Sequence, residues 1–232
     1  MTDPINGGSD PQTRRWLKAL FVFVGLGLWF FTQWLISQRA LEGAGIVDVP
    51  HRWTAPLHAY LQANRAAADA LLIFSSLVID CLGVFLLAWS IFGPSVRPFL
   101  GLLILFALRQ LCQGLTALPA PEGMIWPDGQ IRPAPTLFGI EFPSLLVTYK
   151  VGNDFFFSGH TALAVYGAVE LARLKRHWLT VAAVVIAGFQ AAVVIVLRAH
   201  WTLDVITGAV MALYVAYIAA WPATRCDRWL AR

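Results

Sequence analysis

Residues 69–92 read DALLIFSSLVIDCLGVFLLAWSIF. Their only charged side chains are Asp69, at the edge, and Asp80. A hydrocarbon core about 30 Å thick is crossed by roughly 20 apolar residues in a helix, so this run predicts a membrane-spanning helix. Five further runs of the same character lie on either side, at about 16–37, 99–118, 155–174, 178–197 and 201–221. Over its 232 residues the chain is 58% hydrophobic and 13% charged. A soluble domain carries about 25% charged residues. The expected fold is therefore all-α, an integral membrane bundle of six transmembrane helices. That places a single transmembrane domain at 16–221, between an N-terminal cytoplasmic tail, 1–15, and a C-terminal one, 222–232.

The first run follows Arg14, Arg15 and Lys18, as a signal peptide would. Its apolar part exceeds the roughly 7–15 residues of a signal, and no small-x-small cleavage site follows, so it reads as a retained helix. Cys81, Cys112 and Cys226 have no metal-like spacing, and no disulfide is expected. The net charge of +4 sits at helix ends, which suits a basic cytoplasmic face and not nucleic-acid binding.

Basic residues cluster in alternate connections: Arg14, Arg15 and Lys18; Arg97; the RLKRH stretch at 173–177; and Arg225, Arg228 and Arg232. The positive-inside rule makes these cytoplasmic, with both termini inside. The connections 38–68 and 119–154 and the turn at 198–200 then face outward, the second as a Pro- and Gly-rich loop or lid. His160 and His200 fall at the same outer surface. Arg109, nine residues before the outer end of its helix, lies roughly 13 Å below it.

These positions carry the candidate chemistry. His200 and Asp204, at i and i+4 in "HWTLD", share a helix face, so the carboxylate can hold one ring nitrogen and leave the other as nucleophile or base. An interfacial His paired with a buried Asp for structure alone is the plainer reading. In "FFFSGHT", Ser158 is a helix cap, and the Ser158–Gly159 start offers N–H groups to an anion. His160 could protonate a leaving oxygen there. Arg109 and Arg198 suit a phosphate, but Arg109 could instead pair with Asp80, and Arg198 could snorkel. Asp154 could hold His160 or be a plain loop carboxylate. A zinc reading of His160, His200 and Asp204 is weaker, since no H-E-x-x-H occurs, and neither metal nor cofactor is expected. Two histidines, a carboxylate and arginines beside an anion-friendly helix start point to phosphoryl transfer at headgroup level.

At these residues the chain resembles the PAP2 superfamily (type 2 phosphatidic acid phosphatases), and within it the sphingomyelin synthase-related branch. "GNDFFFSGHT" is similar to that branch's C-G-D-x-x-x-S-G-H-T motif, with Gly152-Asn153 in place of Cys-Gly. "HWTLDV" is similar to H-Y-T-x-D-V, with Trp201 in place of Tyr. "LRQLCQGLTALPAP" resembles its third-helix arginine followed by L-P-x-P. The likeness covers roughly 65–215. It implies a PAP2-like core, His200 as nucleophile, Asp204 as its partner, His160 as leaving-group acid, and independence of metal. Asp154 matches the motif's Asp, and Asp80 aligns loosely with an acidic second-helix position. The lipid-phosphatase branch carries K-x6-R-P and S-R-x5-H-x3-D, whereas this chain has Ser90 and Val194 at the Lys and Arg positions.

The resulting expectation is a lipid phosphotransferase that moves phosphocholine or phosphoethanolamine from a glycerophospholipid donor to a lipid hydroxyl, ceramide or diacylglycerol, through phosphohistidine. Its alternative is a PAP2-type phosphatase or phospholipase C that lets water resolve the same intermediate. A transporter is a third class, but matched helix breaks in two halves are absent. The expected setting is a bacterial inner membrane, with the active site at the outer, periplasmic or lumenal, face. A homo-oligomer is left open.

Overall fold

A computed structural model of the chain describes residues 46–115, 118–125, 136–137, 140–141 and 156–230, together with Phe31. The chain divides into two compact units, Met1–Val47 and Asp48–Arg232. The expected first span, 16–37, apart from Phe31, lies outside the described residues, as do Asp154 and most of the 119–154 connection.

The described residues form eight helices and one small hairpin. In chain order the helices are α1 (Val49–Trp53), α2 (Ala55–Ala63), α3 (Arg65–Phe92), α4 (Arg97–Leu115), α5 (Gly159–Ala172), α6 (His177–Val196), α7 (Thr202–Ile218) and α8 (Ala220–Leu230). Two-residue strands, β1 (Thr136–Leu137) and β2 (Ile140–Glu141), pair antiparallel. Three helices, α3, α4 and α6, are long and apolar enough to cross a membrane, and α7 with α8 makes a fourth if that bent pair is one span.

Three departures from the expected boundaries have local causes. The connection 38–68 contains α1, α2 and the first turn of α3. Asp48 caps α1 by accepting the His51 N–H at 3.3 Å, and a proline occupies its first turn. The expected span 155–174 is a helix of only 14 residues, about 21 Å long. It packs against α3, α4, α6 and α7, and most of its residues are buried, so it is the middle of the bundle. The expected span 201–221 breaks at Ala219, where α8 departs at 42°. Pro222 has no N–H to offer the Ile218 carbonyl, and its ring crowds that carbonyl.

The main core joins Leu82 and Leu86 of α3, Leu102 and Leu105 of α4, Leu163 and Tyr166 of α5, and Val215 of α7. Buried polar side chains cross-link the packed helices. Ser75 Oγ donates to Gln190 Oε1 at 2.7 Å, and Gln190 Nε2 donates back to the Ser75 carbonyl at 2.9 Å, locking α3 to α6. At the other end of α5, Arg97 meets Glu170 at 3.3 Å and donates to the Ala216 carbonyl.

Candidate active site

The two histidine motifs are fastened backbone to backbone. Ser158 begins α5 as its cap, its Oγ accepting the Thr161 N–H at 3.4 Å. The Ser158 N–H in turn donates to the Asp204 carbonyl at 3.1 Å, in the first turn of α7. Gly208 permits this closeness, because a Cβ there would stand 2.7 Å from the Ser158 carbonyl oxygen.

His200 lies in the turn between α6 and α7 and is 6% exposed. That turn is a Schellman end to α6: the Arg198 N–H donates to the Ile195 carbonyl at 3.0 Å, and the Ala199 N–H to the Val194 carbonyl at 2.8 Å. Arg198 takes the left-handed position usual for glycine, with φ 52°. Asp204 is fully buried. Its Oδ2 accepts the Trp201 N–H at 3.0 Å and stands 3.8 Å from His200 Nδ1. A carboxylate on the Nδ1 side leaves Nε2 as the reactive nitrogen.

His160, half-buried in the first turn of α5, lies within electrostatic reach of both His200 and Arg109. Arg109 Nε donates to the Phe157 carbonyl at 2.9 Å. Its guanidinium runs along Gly159, where a Cβ would meet Nε at 3.1 Å. A helix start with a guanidinium laid across it is an anion seat. Among the described residues no three His, Cys, Asp or Glu side chains gather as a metal site would need.

The structure therefore brings His160, His200, Asp204, Ser158, Gly159 and Arg109 together. Arg198 Nη1 donates to the Glu122 carbonyl at 2.8 Å. Asp80 is buried in α3. Asp80 is twelve residues before Phe92 and Arg109 twelve after Arg97, so both stand at about the same height, roughly 18 Å, in neighbouring antiparallel helices.

Three residues of the site's surroundings escaped sequence reasoning. Asp48 binds the start of α7, its Oδ2 accepting the Thr202 N–H at 2.6 Å and its Oδ1 the Thr202 hydroxyl at 2.7 Å. His51 Nε2 donates to the His200 carbonyl at 3.0 Å, and its ring lies 5.5 Å from that of Trp201. His58 Nδ1 donates to the Val196 carbonyl at 2.8 Å. Burial pushes the His58 imidazole below the usual histidine range, and Arg198 and His51 add to that. The readable signal was Asp48-Val49-Pro50, a cap followed by a first-turn proline.

The 119–125 stretch is strapped over the same turn. The Trp201 indole donates to the Pro119 carbonyl at 2.9 Å, the Ile125 N–H to the Leu197 carbonyl at 2.9 Å, and Gln62 Nε2 to the Gly123 carbonyl at 3.1 Å.

Comparison with known proteins gives one family, AtPDCT1/2, which matches residues 47–221 and so takes in every described site residue. No curated protein and no solved structure matches the chain.

Proposed function

The chain belongs to the AtPDCT1/2 family, a phosphatidylcholine:diacylglycerol cholinephosphotransferase family related to the sphingomyelin synthases, and on that premise we propose that it moves phosphocholine from phosphatidylcholine to diacylglycerol. His200 Nε2 attacks phosphorus while the bond to the diacylglycerol oxygen breaks. His160 gives that oxygen its proton, and phosphocholine stays on His200 as phosphohistidine. The acceptor's hydroxyl then passes its proton to His160 and attacks phosphorus, which frees His200. Asp204 stabilises the positive charge on the His200 ring. Arg109 and the Gly159 N–H at the start of α5 take the charge on the non-bridging oxygens. No step calls for a metal.

In this reading Asp80 steadies Arg109 from the neighbouring helix and Asp154 holds His160, while Arg198, anchored by Nη1 on the Glu122 carbonyl, turns its remaining guanidinium donors to the lipid phosphate. The setting is a six-span, PAP2-like bundle with both termini cytoplasmic and the site open to the outer leaflet. The observation that supports the reading best is the Ser158 N–H to Asp204 carbonyl bond, because it holds two distant histidine motifs in one site.

The test uses purified protein in liposomes with chelator, phosphatidylcholine of one acyl composition and diacylglycerol of another. Phosphatidylcholine carrying the acceptor's acyl chains is the expected product. A product formed only with ceramide would move the acceptor to sphingoid lipids. Phosphocholine or diacylglycerol released without an acceptor would make the enzyme a hydrolase. Full turnover by His200→Ala would sink the phosphohistidine mechanism.

A further inference from the structure

The main chain around His200 is held at every step. Its own N–H reaches the Val194 carbonyl at 3.3 Å. Its carbonyl takes the His51 Nε2–H at 3.0 Å. The Trp201 N–H goes to Asp204, and the Thr202 N–H and hydroxyl both go to Asp48. The α6 end and Asp204 are local to the turn. The other anchors come from one short element about 150 residues earlier in the chain, the α1 turn.

We propose that Asp48 and His51 are positioning residues for the phosphoryl-transfer step, which aim the His200 ring by clamping the backbone on its C-terminal side; the inference rests on the proposed role of His200. The two clamps are arranged as one device. Asp48 Oδ1 accepts from both the Thr202 hydroxyl and the His51 N–H, so the carboxylate that grips α7 also orients His51. Because a carbonyl can only accept, His51 carries its proton on Nε2, and its ring is fixed further against Trp201. His51 is 6% exposed, so water cannot readily replace this donor.

The physical consequence is directional. Rotation of the 200–202 peptides swings the imidazole relative to Asp204 and to the phosphorus, and a displacement of about 1 Å can cost on the order of 10²-fold in rate. The bonds of the clamp end on the His200 carbonyl, on Thr202 and on the His51 N–H, and none ends on the His200 ring. Loss of the clamp therefore lowers kcat and leaves KM nearly unchanged.

The experiment compares His51→Phe, which keeps the ring and loses the donor, with His51→Gln, whose amide N–H can stand where Nε2 stood. Thr202→Val removes one bond from the Asp48 side. Each is assayed in liposomes for choline transfer, kcat and KM, beside His200→Ala and a melting curve. We expect His51→Phe to lower kcat by about tenfold or more with KM within about twofold, and His51→Gln to recover most of it. Thr202→Val should lose kcat in the same sense, and it carries the test if His51→Phe does not fold. Wild-type kcat in His51→Phe and Thr202→Val, with His200→Ala inactive, would overturn the clamp and leave the proposed function standing. Equal losses in His51→Phe and His51→Gln that follow equal drops in melting temperature would reduce His51 to packing and also overturn it. An active His200→Ala would remove the proposed function itself.

Discussion

The N–H of Ser158 and the carbonyl of Asp204 are 3.1 Å apart, and that bond sets the distance between the two histidine-bearing helix starts. It joins α5 to α7 beside Gly208, where a Cβ would stand 2.7 Å from the Ser158 carbonyl oxygen. Each end carries its own chemistry: a cap, His160 and the arginine seat on α5, and the His200–Asp204 pair on α7.

The closeness of the helices should be intolerant of any side chain at 208. In Gly208→Ala the new methyl would meet a backbone carbonyl at 2.7 Å, which cannot rotate away. The expected cost is about 1–3 kcal/mol of stability, with activity lost in parallel. Gly188→Ala, where a Cβ would meet nothing within 4 Å, is the matched control and should melt like the wild type. Thermal unfolding in detergent measures both.

Asp204→Asn should separate stability from turnover. An amide oxygen can still accept the Trp201 N–H, so the start of α7 survives. It cannot balance a positive imidazole. A fall in kcat on the order of 10²–10⁴-fold is expected, with the melting temperature little changed. A variant that kept half its turnover would show that the carboxylate plays no part in the reaction.

Arg109→Lys should keep a positive charge and lose the fork. Lysine cannot both donate to the Phe157 carbonyl and lie flat along Gly159. Choline transfer should drop by about tenfold or more, consistent with one lost charge-assisted contact. Gly159→Ala presses on Arg109 Nε at 3.1 Å, and that side chain must give by a few tenths of an ångström. Its smaller activity loss, measured beside Arg109→Lys, would tie the two positions together.

His58 predicts a pH dependence of stability. Its folded pKa lies below the ordinary 6.5, chiefly through burial. The unfolded chain therefore binds a proton that the folded one refuses, and stability falls as the pH drops below about 6.5. The loss levels off once the pH is below the folded pKa. His58→Asn, whose amide can still donate to the Val196 carbonyl, should flatten this slope without altering stability near neutrality. Melting temperature against pH for the two proteins decides it.

Much was legible in the sequence because it depends on short-range rules. The run at 69–92 announces α3 by length and apolarity alone, and α4 and α6 follow the same rule. "SGHT" announces a capped helix start, and "HWTLD" places a carboxylate one turn from an imidazole. The break before α8 was present as Pro222, although the apolar run continues to Trp221.

What only the tertiary structure decided is which distant pieces meet. Nothing in "DVPHRW" says that its Asp48 carboxylate reaches Thr202 or that His51 reaches the carbonyl of His200, 149 residues away. Nor does "LRAH" say that the Arg198 guanidinium reaches the Glu122 carbonyl from a left-handed turn position. Hydrophobic length and helix caps are properties of neighbours along the chain, so one sequence suffices to see them. The aim of a side chain is set by hydrogen bonds that exist only once the helices have packed.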